Sequence, residues 1–204
     1  MKKLFSYNQD IQRNAYLNWR TDKNDKAHNL YILATDFADS AIVMINAILS
    51  DNSDKKADAL IMPIFYSIDQ SIELYIKTII RRLEEQMNEN VSTYNTHDIA
   101  QLREIMESKI RKKEIRTSGL KKHLQPVSDF IDELYVKIKR INDNGKTVVN
   151  MDFARYPFDT EGNPHFYIEE DDNVVVDVEN LYNRFIAIRT SLEALCYMYE
   201  VNGE

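Results

Sequence analysis

The sequence predicts a mainly α protein: an up-and-down helical bundle with one small β-hairpin before its last helix. Three observations predict it. Apolar residues recur at spacings of three and four along most of the chain, the mark of helices with one buried face. Only four Gly and four Pro occur in 204 residues, so few points interrupt a helix. One late stretch, "KTVVNMDFARYPFDTEGNPHFYIEEDDNVVVDVEN", instead gathers Val, Phe and Tyr around turn residues, as hairpins do.

The elements follow in chain order. Ile11, Ala15 and Trp19 stand at helical spacing and predict a short first helix. From Asp25 to about Leu49, residues Leu30, Leu33, Phe37, Ala41, Met44, Ile45 and Ile48 define one apolar face. "SDNSDKK" ends that pattern with capping residues. The longest periodic run spans Ala57 to about Met87. Pro63 lies in its early turns, where a missing N–H is tolerated only near the start, so the helix is expected to begin close to Leu60 or to kink there. A shorter helix is expected from His97 to about Lys112, N-capped by Thr96 with Asp98 in its first turn. "RTSGLKKHLQ" reads as a break. Pro126 then starts a helix that ends near Asn144-Gly145. A hairpin insertion is expected at about 146–176, and Asp177 caps the closing helix. All of this fits a single domain over residues 1–204.

Composition narrows the function classes. A 44 % hydrophobic content supplies a real core, and a net charge of −7 argues against a generic nucleic-acid binder. The single Cys196 excludes an internal disulfide and a Cys-rich zinc site; within "EALCYMYE" it reads as a small buried hydrophobe. No signal-peptide pattern and no run approaching about 20 apolar residues is apparent, so a cytoplasmic protein without membrane contact is expected. His28, His97, His123 and His165 are far apart, and none has a ligand at i+3 or i+4, so no metal is expected. With no Gly-rich phosphate loop, no cofactor is expected either.

Three constellations could carry chemistry. Asp69, Glu73 and Lys77 lie at i, i+4 and i+8 on one helical stripe. On spacing alone this is a solvated ion-pair stripe; the sharper reading is a polar cleft. His97 sits at a helix start, which favours a neutral imidazole able to exchange a proton or hold a carboxylate. In "FARYPFDTEGNPHF", Arg155 can fork onto a carboxylate, and Glu73 or Asp98 would be its target if it clamps the hairpin to the bundle. His165 would lie nearby or in solvent.

Taken in order, Glu73-Leu74 with Lys77, then His97-Asp98, then Arg155-Tyr156-Pro157 with Asp159, followed by a closing amphipathic helix, resemble the HEPN-like superfamily. The likeness is to a bacterial branch with ELxxK, HD and RYPxD segments, and it covers about residues 57 to 200. It implies a helical bundle, often dimeric, in toxin–antitoxin, antiphage or RNA-processing systems. Active members are metal-independent ribonucleases whose signature is an Arg and a following His with four to six residues between them. In such a pair the His moves a proton and the Arg stabilises the charge on phosphorus. Arg116 and His123 match that spacing here, across Gly119, while the closing helix has Arg184 and Arg189 but no His. The expectation is therefore a non-catalytic or degenerate HEPN-like homodimer. It would bind a protein partner or small ligand in a cleft of Glu73, Lys77, His97 and Asp98 closed by Arg155, with Asp159 beside it. The alternatives are a dimeric endoribonuclease that binds RNA through Arg116 and His123, and a purely structural dimerisation module.

Overall fold

Helices of 25 and 31 residues, α1 (Lys26–Ser50) and α2 (Lys56–Gln86), form the antiparallel pair on which the other elements are laid. The computed structural model describes residues 1–90, 94–114, 119–141, 145, 147–149 and 151–200. After α2 come α3 (Ile99–Lys113), α4 (Leu120–Ile138), strands β1 (Lys139–Ile141) and β2 (Thr147–Val149), a 3-10 turn (Met151–Ala154), the one-turn α5 (Phe166–Glu169) and α6 (Val178–Met198). The expected class, a helical bundle with a small β element, is what forms.

α2 is the central helix, packing against α1, α3 and α6. Its Ile64, Ile68, Ile72, Ile76, Ile79 and Leu83 are fully buried. α1 faces it with Ala34, Ala38, Ala41 and Ile45, small side chains that let two helix axes approach closely. Edge-on ring pairs, Tyr31 with Tyr75 and Phe37 with Tyr66, extend that seam. α6 closes the bundle through Phe185, Ile188 and Leu192 and also packs on α4. Cys196 is buried there, and burial pushes its thiol pKa up, as expected of a structural cysteine.

Several boundaries differ from the sequence reading. The first helix does not form: only Ile11–Arg13 makes a 3-10 turn. Its apolar positions have no surface to bury against, and Asn14 bonds locally to Asn8 instead; without tertiary packing so short a helix is marginal. Pro63 and Pro126 each lie inside a helix rather than at its start. α2 begins at Lys56, and α4 begins at Leu120 within the expected break, held by Leu124 and Val127 in the core. Burial of an apolar face outweighs the one backbone bond a proline removes.

The β-hairpin comes early and is short. β1 and β2 pair antiparallel, Arg140 opposite Val148, so the strand begins where α4 was expected to continue. Most of 151–176 is not strand: it holds the 3-10 turn, an isolated Phe158–Pro164 bridge and α5. Phe153 anchors this connection, its ring 5.7 Å from Phe65 on α2 and 5.8 Å from Phe166 on α5.

By length and composition α1 is apolar enough to cross a bilayer, with a mean hydropathy of 1.6 in its most apolar window. Alanines and isolated polar residues hide this from a search for unbroken apolar runs.

Candidate functional site

The stripe Asp69–Glu73–Lys77 turns inward. Asp69 is 7 % exposed and Glu73 3 %, so the solvated-stripe reading is overturned. The stripe adjoins the side of α2 that meets α3 and the 3-10 turn. Two cationic or donor groups converge on the Glu73 carboxylate. Lys77 Nζ donates to Oε1 at 2.8 Å, and His97 Nδ1 lies 3.0 Å from Oε2 and 3.2 Å from Oε1.

His97 is placed by the start of α3. The N-cap is Asp98, not Thr96: the Asp98 side chain accepts the N–H groups of Ala100 and Gln101, both at 3.0 Å, while Thr96 Oγ accepts the Asp98 N–H. An aspartate here satisfies two of the helix's orphan donors. Tyr135 of α4 adds a 2.5 Å hydrogen bond to Asp98 Oδ1 and accepts from the Ala100 N–H at 3.1 Å. Burial, together with the Asp98 carboxylate, raises the Tyr135 phenol pKa, so this hydroxyl remains a donor. The residue ahead of the cap is thereby fixed, with its ring against Glu73.

That ring is 70 % exposed while its carboxylate partner is 4 % exposed. A carboxylate can only accept, so Nδ1 carries the proton it shares with Glu73, and Nε2 is left on the open side of the ring. A buried acid holding one ring nitrogen fixes the imidazole's orientation for whatever meets the other. Asp69, one turn before Glu73, has an Oδ1 with no partner. Burial, with Glu73 and Asp152 adding like charge, pushes its pKa up to about 8.

The remaining expected residues disperse. Arg155 does not fork onto Glu73 or Asp98. It bonds Asp152 Oδ1 at 2.9 Å and lies over the Tyr66 and Tyr156 rings, because the 3-10 turn places Asp152 three residues before it. Asp159 organises its own turn, accepting the Glu161 and Asn163 N–H groups and pairing with Arg140. Desolvation opposes its ionisation, but those N–H groups and Arg140 outweigh it and hold the carboxyl below the usual range. His165 is buried, with Nε2 unpartnered and its pKa lowered by burial. His123 Nε2 donates to the Ser191 carbonyl at 3.0 Å, and Ser191 Oγ donates back to the His123 carbonyl at 2.8 Å. His123 thus staples α4 to α6 beside a cavity of about 310 Å³ that Leu120, Leu195 and Tyr199 also line. Arg116 lies outside the described residues.

Sequence reasoning brought Glu73, Lys77, His97 and Asp98 to one place but missed Tyr135 and Asp152. Tyr135 carried a signal, a phenol on an otherwise apolar helix face. Asp152 carried none. Among the described residues no group of three His, Cys, Asp or Glu side chains is arranged to hold a metal. The protein should therefore keep its melting temperature in EDTA, since there is no ligand set to lose; a fall of many degrees would refute this. No family model, curated protein or solved structure matches the chain.

Proposed function

We propose that the chain is a HEPN-like, non-catalytic binding module, acting as a cytoplasmic homodimer in a bacterial or phage conflict or stress system. The cleft of Glu73, Lys77 and His97 would receive a protein partner or small ligand. The observation that carries this reading is the His97 ring: one nitrogen is held by a buried carboxylate and the rest of the ring faces outward. Such a group is pre-oriented to hydrogen-bond an incoming molecule, which lowers the ordering cost of binding. The resemblance in motif order supplies the family and the system; Arg155 and Asp159 lend the cleft no direct contact.

The competing reading is a metal-independent endoribonuclease using Arg116 and His123. His123 spends Nε2 on a backbone carbonyl, which favours a packing role. Purified protein should be assayed without metal on structured and unstructured RNA, beside His97→Gln, His123→Gln and Arg116→Ala. The proposal expects no cleavage above a mock purification by any of them. Removing a true general acid or base costs 10²–10⁴ in rate. Wild-type cleavage abolished by His123→Gln and Arg116→Ala, with melting unchanged, would establish the ribonuclease. Cleavage abolished by His97→Gln alone would make the Glu73 cleft an active site.

A further inference from the structure

Among the described residues, the most exposed apolar surface is not on the bundle. It lies on residues 1–20, which precede α1. Leu4, Phe5, Leu17 and Trp19 are each at least 80 % exposed, and Tyr7 and Ile11 more than 60 %. This arm is not shapeless. Asn8 and Asn14 exchange hydrogen bonds, Tyr16 and Trp19 pair their rings, and Lys2 Nζ donates to the Tyr7 carbonyl. Its base is tied to α1 where Arg20 pairs with Asp36 and His28 Nε2 donates to the Arg20 carbonyl. A cluster of large apolar side chains held in water at a fixed root is a surface awaiting cover.

Its charge indicates what covers it. Residues 1–20 hold four of the 26 Lys and Arg but one of the 33 Asp and Glu. The arm is therefore net +3 and the rest of the chain net −10. One stretch of the body has the complementary character. Residues 168–175, "IEEDDNVV", are all exposed and put four consecutive carboxylates between Ile168 and Val174-Val175. Glu170 is held by Lys137 at 2.9 Å, but no cation among the described residues pairs with Asp171 or Asp172. In its own chain the arm's ion pair to the body is Arg20–Asp36, not this segment. The arm's root is also at the far end of the bundle. Ala27 shares a cavity with Cys196 and Tyr197 at the end of α6, whereas the acidic segment precedes the start of α6, a helix of 21 residues and so about 32 Å long.

We infer that the basic, aromatic arm of one copy docks on the acidic 168–175 segment of a second copy, apolar side chains against Ile168 and Val174-Val175 and Lys2 and Lys3 against Asp171 and Asp172. Complementary charge sets register and partner, and apolar burial supplies the affinity. The inference rests on the homodimer part of the proposed function and is independent of the Glu73 cleft.

Trp19 is the single tryptophan, so its emission reports cover of the arm directly. Full-length protein should be measured by sedimentation velocity and tryptophan emission across a concentration series at low and high salt. Three variants accompany it: Lys2→Glu with Lys3→Glu, Asp171→Lys with Asp172→Lys, and all four together. All four positions lie outside the core, so the variants should fold. The expected result is a dimer whose emission shifts blue with concentration. Each double reversal should raise its Kd at least tenfold, and the fourfold variant should recover most of that. A dimer indifferent to both reversals overturns the inference but leaves the homodimer standing. A monomer at every concentration overturns both. A concentration-independent blue shift means the arm folds onto its own body. A monomer that instead binds phosphatidylserine vesicles assigns the arm to a membrane. Either of the last two also overturns it.

Discussion

Lys77→Met should destabilise the protein by about 3 kcal/mol, at the lower end of the range for stranding a buried charge. Glu73 is 4 % exposed at its side chain and Lys77 17 %, and their contact is 2.8 Å. Methionine keeps the length and apolar stem of lysine and deletes the ammonium. The Glu73 carboxylate then retains only His97, whose ring is largely in water, and faces Asp69 one turn away. The remaining imidazole donor is the reason for expecting the lower end. Replacing both members, Glu73→Leu with Lys77→Met, should return stability to within about 1 kcal/mol of wild type, because an apolar pair of similar volume avoids desolvating two charges. The cycle of wild type, two single variants and the double variant isolates the pair. Denaturant melts at pH 7 provide the measurement. If Lys77→Met costs only a few tenths of a kcal/mol, the stripe behaves as the solvated ion-pair row that its spacing first suggested, and the cleft loses its foundation.

That contrast shows where the sequence was legible. Periodicity located α1, α2, α3 and α6 because each buries one face, and Asp25 and Asp177 mark their starts by the capping chemistry that aspartate supplies. The same pattern failed for residues 11–19, where the spacing was present and a partner surface was not. It failed in the opposite sense at Pro63 and Pro126, where local propensity forecast a helix start and core packing carried the helix through. Of the candidate site, Glu73 and Lys77 follow from i, i+4 spacing, and His97 and Asp98 from the start of α3. Their meeting depends on how α3 crosses α2, a tertiary fact that no spacing contains. Arg155 illustrates the limit. Arg155 does meet a carboxylate, through one N–H rather than a fork, and the target is the local Asp152 because a 3-10 turn replaces the expected strand. Alternation would have put these two residues, three apart, on opposite faces.

Asp69→Asn should reverse the usual expectation for altering a buried polar residue and stabilise the protein at alkaline pH. The native carboxyl is pushed from 3.8 up to about 8, first by burial and then by the neighbouring Glu73 and Asp152 carboxylates. The native state thus keeps this proton over a range where the unfolded chain has lost it. Below about pH 4 both states are protonated and the group's favourable contribution is fully present. Between pH 4 and 8 the unfolded state binds fewer protons, so stability falls as pH rises, by up to about tenfold in the folding equilibrium per pH unit. Above pH 8 the loss is complete, on the order of 5 kcal/mol. Asparagine is neutral throughout and removes this slope. It also brings two N–H donors to a place where Oδ1 already lacks a partner, which costs about 1–3 kcal/mol. The variant should therefore be less stable than wild type near pH 4, equal to it at about pH 5–6, and more stable by about 2–4 kcal/mol at pH 8.5. Urea melts at half-unit pH steps trace both curves. Parallel curves from pH 4 to 8 would show that Asp69 ionises normally in the native protein and that the polar stripe on α2 is open to water.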